Sequence, residues 1–217
     1  MQRRKSTQRA AVRDLILKAA LNVFSKHGYH DATVDDIAAA AHVSKGAVYW
    51  YFDSKSHLFM ALARREMESL TQCVESIIAE KGKTVVARIE TLIVEVLTYY
   101  VDHPEFCNLM KVYILPVGPE LGKQMEAMAD EGYSRGRALI EGLLREGIEN
   151  GELDANRCSV ATPMLTALLD GLMYQWIIDP EAIPLPRLAK DVARGFLDGI
   201  RKNAGRRGRK AGRAVKR

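Results

Sequence analysis

The residues best placed to do chemistry in this sequence lie between Thr33 and Lys55, and the chemistry they suit is recognition of a polyanion. The segment Ser44-Lys45-Gly46-Ala47-Val48-Tyr49-Trp50-Tyr51 is followed by Phe52. Helical spacing puts Val48 and Phe52 on one face, directed at a core. Lys45, Gly46, Ala47, Tyr49, Trp50 and Tyr51 are left around the outer surface. Small residues let a helix backbone approach base edges in a major groove. Tyrosine hydroxyls and lysine ammonium groups suit phosphate oxygens. Thr33 opens a helix of its own, whose free N–H groups face outward as a phosphate would require. A purely structural helical hairpin would account for Val48 and Phe52, but not for the small, basic and aromatic residues around them.

Bond-making chemistry finds no such constellation. The sequence has no nucleophile elbow, P-loop, dinucleotide fingerprint, paired-carboxylate motif or zinc motif, so an enzyme is not expected. No His, Cys, Asp or Glu cluster has metal-ligand spacing, and neither a metal nor a cofactor is expected. His103 precedes Pro104 as a helix-start residue. Cys73, Cys107 and Cys158 are widely separated and read as reduced thiols acting as small hydrophobes.

Charge supports the polyanion. The net charge of +5 over 217 residues is unevenly spread. Residues 1–58 carry nine Lys/Arg against five Asp/Glu, residues 59–200 carry fourteen against twenty-two, and residues 201–217 carry nine against none. Basic ends flank an acidic middle, which points to a polyanion engaged by one part of the molecule: nucleic acid first, and an anionic membrane surface second, for which no amphipathic helix with an exposed aromatic face speaks. The N-terminus (Arg3, Arg4, Lys5, Arg9) has no apolar run behind it and is not a signal peptide. The most apolar window, Val160 to Ile178, contains Asp170, Pro163 and Gln175 and reads as a buried interface helix rather than a membrane span. A cytoplasmic protein is expected.

The elements that must position these residues are helices. Val12, Leu15, Ile16, Ala19, Ala20, Val23 and Phe24 follow helical spacing, and Gly28 ends that helix. Thr33 caps a short second helix with Asp35 and Asp36 in its first turn. His42-Val43 makes a tight turn, and Ser44 caps the third helix. The very short connection is what a helix-turn-helix requires. A fourth helix starts near Ser54 or Ser56 and runs through Leu58, Leu62 and Arg65. Further helices are expected at about 84–102, 104–116, 119–150, 157–178 and 186–203, between Gly and Pro breaks. The fold is all-α with about nine helices. Three regions follow: a DNA-binding unit at 1–58 with a basic N-terminal arm, a larger unit at 59–203, and a basic tail at 204–217.

The stretch from Phe24 to Leu62 resembles the DNA-binding domain of the TetR family. Thr33, Ile37-Ala38, Val43-Ser44-Lys45-Gly46, Tyr49, Tyr51-Phe52, Ser54-Lys55 and Leu58 carry the resemblance, and Tyr49-Trp50 is similar to the branch that represses multidrug efflux pumps. The resemblance implies phosphate contacts from Thr33, Tyr49, Tyr51 and Lys55. It implies base-edge contacts near Ser44, Lys45, Gly46 and Ala47, with Trp50 beside them. It also implies a homodimeric repressor on palindromic double-stranded DNA, released by a small-molecule effector through a shift in population. His42 departs from the family, which usually has Gly at this turn; a positive φ is expected there.

Beyond residue 65 the resemblance weakens. Candidate pocket residues are Tyr99, Tyr100, His103, Phe106, Met110, Tyr113, Met128, Met173 and Trp176, a set that would accept hydrophobic or aromatic ligands. Leu165, Leu168, Leu169, Leu172, Met173 and Trp176 stripe one late helix; Leu188, Val192, Phe196 and Ile200 stripe the next, with Gly195 and Gly199 allowing close approach. The leucines of the first and all four of the second are candidates for a four-helix dimer interface. The tail from Gly205 to Arg217 is expected to be disordered, either adding sequence-independent DNA affinity or only solubility. Alternative functions are a nonspecific DNA-packaging protein and a ligand-responsive activator.

Overall fold

The computed structural model describes residues 2–110 and 119–202. Among them are nine α-helices and no strand. They are α1 (Gln2–Asp31), α2 (Val34–Ala40), α3 (Lys45–Tyr51), α4 (Lys55–Ile78), α5 (Val85–Asp102), α6 (Pro104–Met110), α7 (Pro119–Glu149), α8 (Ala161–Ile178) and α9 (Leu185–Ile200). The last part of the expected 104–116 helix, with Tyr113 in it, and the tail at 204–217 lie outside the described residues. A single 3-10 turn, Cys158–Val160, precedes α8, so that helix starts later than its apolar pattern suggests.

The first three helices form one packed unit. Gly28 adopts φ +73 and breaks α1, as its role as a helix stop requires. Thr33 caps α2 in a capping box: its hydroxyl accepts from the Asp36 N–H, and the Asp36 carboxylate accepts from the Thr33 N–H. At the other end of α2 the His42 N–H donates to Ala39 and the Val43 N–H to Ala38. That pair is a Schellman motif with His42 at its left-handed position, φ 54. Ser44 then caps α3 by accepting from the Ala47 N–H at 3.1 Å. Ile16, Leu17, Ala20 and Phe24 of α1 bury against Ile37, Ala38, Val48 and Phe52. Leu58, Phe59 and Leu62 of α4 complete this core, so residue 58 lies inside a helix that both units share.

In the larger unit α5 is central, packed by α4, α7, α8 and α9. Its N-terminal N–H groups at Val85 and Val86 donate to the two oxygens of Glu152. Buried Arg88 donates to the Ile78 carbonyl and to Glu146, tying α4, α5 and α7 together. The α9 stripe Leu185, Ala189, Ala193, Phe196, Leu197 and Ile200 is buried, and α9 packs mainly on α5. Four of the residues expected at the dimer interface are corrected here. Phe196 and Ile200 belong to the protomer's own core, and so do Leu165 and Leu169 of α8. The strongest apolar stripe of each helix turns inward, because burial within the chain is available to it without a partner. Leu168, Leu172, Leu188 and Val192 are half-buried.

Candidate DNA-binding surface and internal cavity

On α3 the outward residues are in the open. Tyr49 is 44% exposed and Trp50 61%, although both are large aromatic side chains. Such exposure is unfavourable unless something covers it. Arg9 of α1 places its guanidinium 5.2 Å from the centre of the Trp50 ring, and Arg13 stands over Phe52 at 5.3 Å. The basic face of α1 therefore continues the aromatic face of α3. Sequence reasoning treated Arg9 only as part of a basic arm; its spacing from Trp50 in the chain gives no sign of this contact.

Gly46 is exposed in the first turn of α3. A Cβ there would meet only the Ser44 Oγ, at 3.9 Å. The packing of the fold does not require this glycine, and it leaves the α3 backbone bare on its outer side. Lys45 pairs with Asp35 at 2.7 Å, a bond that holds the Lys45 ammonium charged. Both partners are well exposed, so exchanging Asp35 for a phosphate costs little.

Two expected phosphate contacts look different in the structure. Lys55 points inward: its Nζ donates to the carbonyls of Tyr29, His30 and Ala32 at 2.8–3.0 Å and lies 4.7 Å from the Tyr29 ring centre. All three ammonium protons are used on the end of α1, which replaces the expected phosphate contact with a structural role. Thr33 is exposed, but its hydroxyl donates to Asp36 at 2.6 Å. Asp36, exposed and held below the usual carboxylate range by that hydroxyl, keeps the cap in place. Tyr51 is half-buried beside Gln8, Arg9 and Val12.

The second feature is a cavity of about 400 Å³ between α4, α5, α6, α7 and α8. Met67, Leu70 and Val74 come from α4, Leu92, Val96 and Tyr100 from α5, Phe106 from α6, Tyr133 and Ile140 from α7, and Met173 from α8. Of the residues expected in a pocket, Tyr100, Phe106 and Met173 line it. Tyr99, His103, Met128 and Trp176 do not. On α5 the cavity-facing residues recur at 92, 96 and 100, so neighbouring Tyr99 turns toward His103, 4.0 Å away between ring centres. His103 itself is exposed, and the Met110 and Tyr113 side chains are not among those described. Asp170 was missed. It is half-buried in the cavity wall, accepts a hydrogen bond from the Tyr133 hydroxyl at 2.9 Å, and burial raises its pKa above the usual carboxylate value. Its place inside the most apolar window of the chain was the signal available.

Family models match at both ends of the chain. "Bacterial regulatory proteins, tetR family" covers residues 16–62, and "BetI-type transcriptional repressor, C-terminal" covers residues 122–202. The transcriptional repressor NicS of Pseudomonas putida is 32% identical over 159 residues, 68% of this chain and 74% of that protein. The chain belongs to the TetR family. Another relative, the transcriptional regulator AcrR of Shigella flexneri, is 28% identical over 90% of this chain and 92% of its own. The same fold is seen in SmeT, repressor of a Stenotrophomonas maltophilia multidrug efflux pump, solved with triclosan. It has a TM-score of 0.76 at 24% identity, over 89% of this chain and 93% of that one. The protein is thus a TetR-family helix-turn-helix DNA-binding regulator, with α2 and α3 as its helix-turn-helix. Among the described residues no helix is long and apolar enough to cross a membrane, and no group of three or more His, Cys, Asp or Glu could hold a metal.

Proposed function

We propose that the protein is a cytoplasmic, homodimeric repressor. It holds a palindromic operator through α3 of each protomer and leaves it when a small hydrophobic or aromatic molecule enters the cavity. The observation that carries this reading is that α4 belongs to both sites. Its first turns bury Leu58, Phe59 and Leu62 in the DNA-binding core, and two turns further Met67, Leu70 and Val74 line the cavity. The short α6 joins them a second time, packing on α1 while Phe106 faces the cavity. A ligand that displaces α4 or α6 therefore acts on α1, and through it on α3.

A dimer is supported by what α8 and α9 leave outside. Val160, Met164 and Ile178 are more than half exposed, and Leu168, Leu188 and Val192 flank them half-buried. Gly195 and Gly199 are exposed with open space around them, which gives a partner helix room to approach. Two α3 helices must reach half-sites about 34 Å apart, so a small change in their separation loses half of the contacts.

Selection of bound sequences from a random double-stranded DNA pool tests the proposal. The expected result is one inverted repeat, bound about a thousand-fold more tightly than random DNA. Tight binding with no motif would replace it with a packaging role, and fusion of the repeat to a reporter separates repression from activation.

A further inference from the structure

We propose that the cavity selects lipophilic organic cations, with the Asp170 carboxylate as the residue that reads the charge. The inference rests on the cavity being the effector site. The described cavity walls are overwhelmingly apolar and aromatic, and among the described lining residues two side chains carry charge, Asp170 and Arg137. These two are not equivalent. Arg137 is exposed on α7, where water screens it. Asp170 is half-buried on α8, between the cavity residues Thr166, Leu169 and Met173.

The groups that face Asp170 from the neighbouring helices are phenols. Tyr133 of α7 donates a hydrogen bond to the carboxylate, and buried Tyr100 of α5 lies close enough to feel its charge. The lining residues of α4 and α6 are uncharged. Among the described residues no cation acts on the Asp170 carboxyl, and desolvation is the largest influence on it. An ionised carboxylate has about four acceptor positions. Among the described residues a single phenol donates to them, which leaves most unused in surroundings that penalise the charge. A ligand ammonium group would supply both the missing donors and the missing opposite charge. An anionic ligand would instead bring a second negative charge into the same walls. Tyr100, Phe106, Tyr133 and Tyr174 line the cavity as well, and their ring faces favour a cation.

The test uses the full-length protein and three matched probes in calorimetry near neutral pH: naphthylethylamine, which is protonated there, naphthylethanol and naphthylacetate. The amine should bind about tenfold more tightly than the alcohol, and the acetate most weakly of the three. Asp170→Asn should bring the amine down to the affinity of the alcohol, with measurable alcohol binding and a cooperative thermal transition showing that the protein and its cavity are still formed. Tyr133→Phe, which removes only the phenol, should retain the preference for the amine. An alcohol that binds the wild type as tightly as the amine overturns cation selection alone. A preference that survives Asp170→Asn overturns the role of this carboxylate. Failure of all three probes to bind the wild type overturns the effector reading of the cavity, and this inference with it.

Discussion

Gly46 and Gly147 are both helical glycines, yet the fold needs only one of them. A Cβ on Gly147 would fall 2.6 Å from Leu153 and 2.8 Å from Val85, where α7 meets the start of α5. Gly147→Ala should cost about 1–3 kcal/mol in urea unfolding through overpacking. Gly46→Ala should leave stability equal or raise it by up to about 1 kcal/mol, because alanine favours a helix. Its effect should appear in operator affinity, as the added methyl stands between α3 and the bases. Equal DNA binding by this variant would remove Gly46 from the interface. His42 is the reverse case, a side chain held at φ 54 where glycine would be unstrained. His42→Gly should raise stability by about 0.5–1 kcal/mol, the relief of left-handed strain less the added freedom of the unfolded chain. Asp170 is a third kind of compromise. Its folded pKa is raised, so the folded state binds the proton more tightly than the unfolded one. Stability tied to this group is therefore greatest below the unfolded carboxylate pKa and is lost as pH rises through the raised value. Asp170→Asn should then unfold at a higher Tm than wild type at neutral pH, with the difference vanishing in acid. A gain that persists unchanged in acid would show that the carboxylate charge is not its cause.

At the scale of elements, α4 is the helix that, among the described residues, enters both the DNA-binding core and the cavity with several residues. The bond that ties its middle to α1 is Arg65, whose guanidinium donates to Asp14 of α1 at 3.2 Å and to Glu66 at 2.7 Å. It lies between Leu62 in one core and Met67 in the cavity wall. Asp14→Asn removes the charge that Arg65 and Lys18 share on α1, and Asp14 is not one of the cavity-lining residues. Operator affinity without ligand and ligand affinity without operator should both change less than about threefold, since the pair is half-exposed. The ratio of operator affinities with and without ligand should shrink, because the ligand then moves α4 without carrying α1 along. An unchanged ratio would place the coupling in α6 instead. Such a connection was not legible in the sequence, although its parts were. Helix boundaries near Gly28, Thr33, Ser44 and Ser54 follow from local caps that chain neighbours supply, and these could be read. The left-handed turn at His42 was legible on a different ground, the glycine that the TetR family usually has at that position. The cavity could not be read, because it depends on which face each of five helices turns inward. Choosing aromatic and methionine residues by type picked Tyr99 as readily as Tyr100, and passed over Asp170 and Thr71.

The whole molecule poses the question that α8 and α9 leave open within one chain. Each carries two stripes. The inner ones, with Leu165, Leu169, Phe196 and Ile200, close the protomer core. The outer ones run from Val160, just before α8, through Met164, Leu168 and Ile178 on α8, and through Leu188, Val192, Gly195 and Gly199 on α9. Sequence periodicity showed that both helices are apolar, but it could not divide the apolar positions between a core and a partner. Exposure does divide them. Met164 is 54% exposed, so a charge placed there meets water in the monomer and an apolar partner in the dimer. Met164→Asp should therefore keep its helix content and fold as a monomer, seen as half the wild-type mass in light scattering. The cavity lies within one protomer, so binding of a cavity ligand should persist. Operator binding should weaken by about a hundredfold or more, because a single α3 reads one half-site and loses the contribution of the second. A variant that remains dimeric would move the interface elsewhere on the molecule. A monomer that held the full operator as tightly as wild type would show that one helix-turn-helix is sufficient, and the two-fold reading of the site would fall.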